Sequence, residues 1–477
     1  MSSIGLIGLG VMGANLALNL SDKGYALSVY NRTFALTEQF MAAHAQGRAI
    51  VAADNLPEFV ASLTAPRVIL LMITAGRAVD AVIAQLLPLL NHGDIIIDGG
   101  NSHYPDSTRR WQELRAQGIR FVGMGVSGGE EGARHGPSLM PGGDVEAWPV
   151  IREMFQTVAA QVDGVACCQW LGEGGAGHYV KMVHNGIEYG DMQLIAEVCH
   201  LMRHALGMDY AAMADTFALW NQGRLESYLI EITSQLLRHK DTDGSPLVEK
   251  ILDRAGQKGT GLWTAQDALE HAVPLTLIAE AVHARMLSAR KDERVAASQL
   301  LGKPTEPVPE NQRQAYLEAL HDALYAAKVV SYAQGFMLLQ TAARQYAWDL
   351  PYGDIALLWR AGCIIRSRFL GDIKASFARE PVPQSLLQDP FFAAELQQAE
   401  SGWRKAVILA VMQGVPAPAL SSALAFYDGY RCANGSANIL QAQRDFFGAH
   451  GYQRVDRDPA LHFHTRWGGD GVEEQLP

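Results

Sequence analysis

Ser3-Ile4-Gly5-Leu6-Ile7-Gly8-Leu9-Gly10-Val11-Met12-Gly13 decides the fold of the N-terminal part of the chain. A short apolar strand, Ser3 to Ile7, runs into a GxGxxG turn, and a helical segment, Ala14 to Leu20, follows. Between strand and helix the three glycines permit a tight turn, close approach of backbone to a pyrophosphate, and close helix–strand packing. The phosphate then sits at the helix N-terminus, where free N–H groups and the helix dipole favour an anion. Gly8, Leu9, Gly10, Val11, Met12 and Gly13 are therefore candidate dinucleotide contacts.

The second strand, Ala26 to Tyr30, ends at Asn31-Arg32-Thr33. An NAD site usually has a carboxylate here for the ribose 2′-hydroxyl, whereas NADP needs a cation and neutral donors. Arg32 can grip a 2′-phosphate with Asn31 and Thr33 beside it, so the sequence points to NADP. Further units follow: strand Val68 to Ile73 ending at Thr74-Ala75-Gly76, helix Ala78 to Leu90, strand Ile95 to Asp98 running into Gly99-Gly100-Asn101-Ser102. A helix through Arg109 to Gln117 leads to a strand at Ile119 to Gly123. Alternating strands and helices mean a doubly wound parallel sheet with ligands outside the strands' carboxyl ends. Asn101 and Ser127 sit just past such ends. Residues 125–143 read as a glycine-rich loop whose amides can hold a carboxylate or hydroxyls, with Pro137 and Pro141 stiffening it.

Next comes Gly177-His178-Tyr179-Val180-Lys181-Met182-Val183-His184-Asn185-Gly186-Ile187-Glu188-Tyr189, a loop opening into a long helix. Residues three, four and seven apart share a helix face, so Lys181, His184, Asn185 and Glu188 form one polar stripe. A solvated face is the bland alternative. Against it stand the apolar surroundings, two poor helix formers in the stripe, and Gly186, which costs about 1 kcal/mol against Ala in a helix interior. Something must approach the backbone there, and the stripe is expected to face a cleft.

From about 178 to 432 the texture is long amphipathic or apolar helical runs, a large all-helical domain. Ala255-Gly256-Gln257-Lys258-Gly259-Thr260-Gly261 presents Lys258 and Thr260 on a glycine-bracketed turn, a phosphate site in type. Arg285 lies in an otherwise apolar helix and wants an anion, either internal or bound. Lys291-Asp292-Glu293-Arg294 reads as a solvated charged turn. Beyond Ala433, glycines break the pattern and basic and aromatic residues mix (Arg444, His450, His462, His464, Trp467), a tail expected to drape over another surface, such as a second subunit's.

The bulk numbers exclude several classes. At 477 residues the chain needs more than one core. A hydrophobic fraction of 48% with 19% charged residues fits a globular protein, and no apolar run is long enough to span a membrane. No secretory leader is apparent, and five cysteines make no disulfide framework, so a cytoplasmic protein is expected. The formal charge of −11 argues against nucleic-acid binding.

Taken together the segments resemble the 6-phosphogluconate dehydrogenases over nearly the whole chain. The specific pieces are IDGGNS at 97–102, GVSGGEEGAR at 125–134, GPSLMPGG at 136–143, KMVHNGIEYGDMQLI at 181–195, GQKGTG at 256–261 and FGAH at 447–450. The resemblance implies a Rossmann-type NADP-binding domain over 1–177, a helical substrate and dimerisation domain over 178–432, and a tail over 433–477. It implies oxidative decarboxylation of 6-phosphogluconate to ribulose 5-phosphate with NADP, in the pentose phosphate pathway and gluconate utilization, without a metal. Lys181 looks like the family's general base and Glu188 its general acid. Asn101, Ser127, Gly128, Gly129, His184 and Asn185 would hold the sugar acid, and Tyr189, Lys258, Thr260 and Arg285 the phosphate. In the implied homodimer, Arg444 and His450 would enter the neighbour's site. Ile73, Thr74, Ala75 and Asn101 complete the implied cofactor set.

Two departures stand out: Thr74 replaces an expected lysine in the adenine-side loop, and Arg466 an expected neutral residue in the tail. A general β-hydroxyacid dehydrogenase is the competing enzyme reading, though it would not need Lys258, Arg285 and Arg444 at one phosphate. A non-catalytic NADP sensor would not need Lys181 and Glu188. Arg32 without a carboxylate beside it predicts a clearly higher kcat/KM with NADP than with NAD; comparable values for the two coenzymes would contradict that reading.

Overall fold

The protein's structure, a computed structural model, describes residues 1–302 and 307–476. These fall into two units, the first Met1–Ala423 and the second from Leu424 onward.

The first unit opens with a seven-stranded sheet: β1 Ile4–Ile7, β2 Leu27–Tyr30, β3 Ile50–Ala52, β4 Val68–Leu71, β5 Ile95–Asp98, β6 Arg120–Ser127 and β7 Ser138–Gly143. The order is β3-β2-β1-β4-β5-β6-β7, parallel except for β7, which runs antiparallel to β6. The connecting helices are α1 Val11–Asp22, α2 Phe34–His44, α3 Leu56–Ala61, α4 Arg77–Leu86, α5 Tyr104–Arg115, α6 Gly129–His135 and α7 Trp148–Val158. This is the Rossmann-type arrangement expected from the GxGxxG stretch.

Strand side chains alternate between two faces, so the sheet carries a core on each side. Val68, Leu70, Ile95 and Ile97 bury against Leu16 and Leu20 of α1 and Ile151 and Phe155 of α7. Ile69, Leu71 and Ile96 bury against Phe59, Ile83 and Leu114 on the other side. A short hairpin, β8 Gln161–Val162 and β9 Val165–Ala166, follows α7.

Residues 125–143 are not the loop the glycines suggest. They form the end of β6, the turn and short helix α6, and all of β7. Ladder hydrogen bonds between Gly125 and Met140 and between Gly123 and Gly142 satisfy the backbone, and the glycines leave room for a helix above it.

That helix is α8, Ala176–His204, which lies across β6 and β7. After it come α9 Tyr210–Trp220, α10 Tyr228–Arg238, α11 Thr260–Glu270, α12 Thr276–Ser288 and α13 Lys291–Leu301. Then follow α14 Arg313–Tyr346, α15 Tyr352–Leu358, α16 Leu370–Phe377, α17 Pro390–Gln413 and α18 Pro418–Tyr430. The expected charged turn at 291–294 is the first turn of α13, where Asp292 and Glu293 favour the helix N-terminus; Lys291 and Arg294 pair with Asp253. No helix among the described residues is long and apolar enough to cross a membrane.

The second unit holds α19 Ala437–Gly448 and a hairpin of β10 Phe463–Thr465 with β11 Glu473–Gln475. It has an internal centre that the mixed composition hid. Asp445 is fully buried and accepts hydrogen bonds from Gly451 N–H, His464 Nδ1, Thr465 N–H and Trp467 Nε1 at 2.8–3.0 Å. Burial works against its charge, but these donors outweigh burial and hold the carboxyl below its ordinary range.

Between α8 and α14 sits a buried ion pair: Lys328 Nζ donates to Asp191 Oδ2 at 2.5 Å, both side chains at most 1% exposed. Removing one partner strands a charge away from water. Lys328→Met should destabilise the protein by about 3–5 kcal/mol, and adding Asp191→Leu should restore most of it. Thermal midpoints of the single and double variants check this; equal midpoints would contradict it.

Candidate active site

α8 carries its polar stripe inward. Lys181, His184 and Asn185 are all buried, and Glu188 is mostly so, which rules out the solvated-face reading. Lys181 Nζ lies 3.4 Å from His184 Nδ1, which is 3.1 Å from Asn185 Oδ1 and 3.9 Å from Glu188 Oε2. His184 Nε2 reaches Ser127 Oγ at 3.4 Å, tying the stripe to the end of β6. The close approach expected at Gly186 is Thr264: a Cβ on Gly186 would lie 2.6 Å from its methyl, and Thr264 Oγ1 donates to Met182 O at 2.9 Å.

The electrostatics follow from burial. Desolvation pushes the Lys181 amine below its ordinary value, against the pull of Glu188 and Cys363. Burial pushes the Glu188 carboxyl up, opposed by Lys181 and Arg285 and helped by Asp191. His184 is held neutral by burial and then by the Lys181 charge. An amine shifted toward neutrality and a carboxyl shifted toward protonation thus share one helix face.

A cleft beside Lys181 is lined by Asn101, Ser102, His178, Met182, Thr260 and Trp263. Its floor is braced by Asp98 at the end of β5, which accepts from Gly100 N–H at 3.0 Å, Ser102 Oγ at 2.6 Å and buried Arg110 at 3.2 Å. Arg110 also donates to Asp80 and to Gly76 O, joining the 73–76 and 99–102 loops. Sequence reasoning missed Asp98, Ser102, Arg110, His178 and Trp263. A carboxylate closing an apolar strand was the available signal for Asp98; Ser102 and Arg110 bond to that same carboxylate, and His178 and Trp263 act through contacts between distant segments.

Arg285 of α12 lies with its guanidinium 3.5 Å from the Tyr189 ring centroid and donates to Gly256 O at 3.0 Å. Tyr189 in turn abuts Gly261, where an added Cβ would fall 2.4 Å from the ring. Those contacts bring Tyr189, Arg285, the 256–259 turn and Thr260 together, with Lys258 exposed on that turn. Neither Arg285 nor Lys258 has a carboxylate within ion-pair distance among the described residues. Gly128 and Gly129, both with positive φ, form the turn after β6. Arg444 and His450 belong to the second unit, both exposed, with Arg444 Nη1 donating to Gln441 Oε1 at 3.1 Å.

At the carboxyl end of β1, inside the sheet rather than at its edge strands, the backbone fits a dinucleotide. Gly8 has φ +104°, and a Cβ on Gly13 would fall 1.9 Å from Gly8 O, so only glycines permit the turn. A Cβ on Gly10 would meet nothing within 4 Å, leaving space over the N-terminus of α1. Leu9 N–H donates to Asn31 Oδ1 at 3.2 Å, which orients Asn31 beside exposed Arg32 and Thr33. Ile73, Thr74 and Ala75 follow β4 at the same end of the sheet.

The chain is similar to known proteins over nearly its whole length. Residues 3–172 match the family model for the NAD binding domain of 6-phosphogluconate dehydrogenase, and residues 177–467 that for its C-terminal domain. The decarboxylating 6-phosphogluconate dehydrogenase of Treponema pallidum is 55% identical over 476 residues, covering 98% of each chain. The human one is 55% identical over 98% of this chain and 97% of its own. A 6-phosphogluconate dehydrogenase of Plasmodium falciparum superposes with a TM-score of 0.94 at 41% identity, covering 98% of this chain and all of that one. That protein is described in its apo form, with its cofactor NADP+ and with its substrate 6-phosphogluconate. The chain belongs to the 6-phosphogluconate dehydrogenase family. Within the family fold, the place of Lys181 depends on Gly125 of β6, where a Cβ would sit 2.4 Å from the Lys181 Cβ. Gly125→Ala must push α8 away, and turnover should fall about 100-fold, as for a displacement of about 1 Å at a reacting group. Steady-state assay with circular dichroism as a folding control checks this; wild-type turnover would contradict it.

Proposed function

We propose that this protein is an NADP-dependent decarboxylating 6-phosphogluconate dehydrogenase, with Lys181 as general base and Glu188 as general acid. The observation that carries the reading is the buried stripe, in which an amine shifted toward neutrality and a carboxyl shifted toward protonation share one face of α8. Residues 1–177 bind nucleotide, 178–432 hold the substrate and dimerise, and 433–477 complete the neighbour's site with Arg444 and His450. The protein works in the cytoplasm.

Gly8 to Gly13 would hold the pyrophosphate, Asn31, Arg32 and Thr33 the 2′-phosphate, and Ile73, Thr74, Ala75 and Asn101 the remaining nucleotide contacts. NADP, when bound, supplies the hydride acceptor for C3 of the substrate. Neutral Lys181 takes the proton of the C3 hydroxyl as the hydride leaves. The protonated amine then polarises the new carbonyl, stabilising the charge that develops as the carboxylate departs as CO2. Protonated Glu188, two turns along the same face, delivers a proton to C1 of the resulting enediolate, giving ribulose 5-phosphate. Ser127, Gly128, Gly129, His184 and Asn185 hold the sugar acid's hydroxyl and carboxylate groups. Tyr189, Lys258, Thr260 and Arg285 hold the phosphate; two cations with no carboxylate in ion-pair distance among the described residues, beside a helix N-terminus, suit a dianion.

Glu188→Gln keeps the side chain's size and removes its acidic proton. The KM for 6-phosphogluconate should stay within about threefold while kcat falls about 100-fold or more. NADPH formation and CO2 release measured on one sample check both parts; unchanged kcat would remove Glu188 from the mechanism.

A further inference from the structure

Asp267 touches no cleft residue's reactive atom, yet it ties together the elements that build the cleft. It is buried on α11, and its Oδ1 accepts from Tyr104 Oη at 2.7 Å. Its Oδ2 accepts a short hydrogen bond from Tyr179 Oη. Tyr104 is the first residue of α5, three positions after Asn101, and its hydroxyl also meets Tyr346 Oη at 2.9 Å. Tyr179 lies in the first turn of α8, two positions before Lys181. One carboxylate therefore joins the cofactor-side loop, the helix of the polar stripe and α11.

The bond runs along α11 in a useful direction. Thr260, Trp263, Thr264 and Asp267 are spaced by three, four and seven residues, so they share one face. Trp263 meets His103 in a tilted ring contact with centroids 4.7 Å apart, and Thr264 donates to Met182 O. Trp263, Thr264 and Asp267 thus reach the 101–104 segment and α8, while Thr264 also donates to Thr260 O and Asp267 Oδ2 lies 3.5 Å from His271 Nδ1; the N-terminal member of the face is Thr260, which lines the cleft. Burial pushes both phenols above their ordinary range, so they remain donors at any working pH.

We propose that Asp267 is a positioning residue that fixes the first turn of α11, and with it Thr260, against Asn101 and Lys181. Selection of a phosphorylated sugar acid then depends on a carboxylate that never meets the substrate. The inference rests on the reading that the N-terminus of α11 receives the phosphate, and the test separates the two.

The experiment is a double-mutant cycle of Asp267→Asn with Thr260→Ala, read as KM for 6-phosphogluconate, kcat, KM for NADP and thermal midpoint. Each single variant should raise the KM for 6-phosphogluconate about tenfold, the scale of one misplaced charge-assisted hydrogen bond, with KM for NADP unchanged. In the double variant the second substitution should add less than about twofold, because both act through one turn. Additive effects, or an Asp267→Asn protein with a lowered midpoint but wild-type KM, would overturn the inference alone. An unchanged KM in Thr260→Ala would overturn the phosphate reading and the inference with it. Should Asp267→Asn fail to fold, Tyr104→Phe and Tyr179→Phe each remove one hydroxyl, and each must show the same selective rise in KM; wild-type KM in both would overturn it.

Discussion

The structure turns on the desolvation of one amine. Lys181 can approach neutrality only if water is kept from its nitrogen, and the fold does this by packing neighbours around the N-terminal half of α8. β6 and β7 cover one side, and α11, α12 and α14 the others. The sheath is close enough that glycines recur wherever a strand or helix crosses: Gly125 beneath Lys181, Gly186 facing Thr264, Gly335 of α14 against Ile187. The same burial that lowers the amine raises the carboxyl of Glu188, so a single physical cause sets both groups in opposite directions.

Such a helix must also be held against neighbours that come from distant parts of the chain. Buried polar contacts supply this, because each is satisfied in only one arrangement. Asp98 and Arg110 fix the loops at the carboxyl ends of β4 and β5. Lys328 and Asp191 lock α14 to α8 one turn past Glu188. Arg285, stacked on Tyr189 and bonded to Gly256, brings the exposed Lys258 turn beside the N-terminus of α11. The candidate groups Lys181, Glu188, Tyr189, Thr260 and Arg285 thus sit on helices, and Lys258 on the 256–259 turn.

The parallel sheet, the nucleotide turn and the polar stripe were legible in the sequence because each is local: GxGxxG between strand and helix, Arg32 after β2, and four polar residues at helical spacing. Gly186 was legible as a cost needing a reason, though not as the place where Thr264 fits. Other features could not be read, because they depend on pairing. The glycines of 125–143 look like loop until β6 and β7 are seen to hydrogen-bond, and Lys291 to Arg294 look like a turn until α13 continues them. Asp445, in a stretch of mixed composition, reveals its role only through donors up to 22 residues away. Asp267 is legible neither by motif nor by period, since its partners lie 163 and 88 residues off.

The most direct test of the central claim is the titration of Lys181 itself. In protein labelled with 13C at lysine Cε, the Lys181 resonance, assigned by its loss in Lys181→Arg, is followed against pH. Burial predicts a midpoint clearly below that of a solvated lysine, the other lysines in the same spectrum serving as the reference. A midpoint among those of the exposed lysines, or above them, would mean that the amine stays charged in the cleft and would contradict the account.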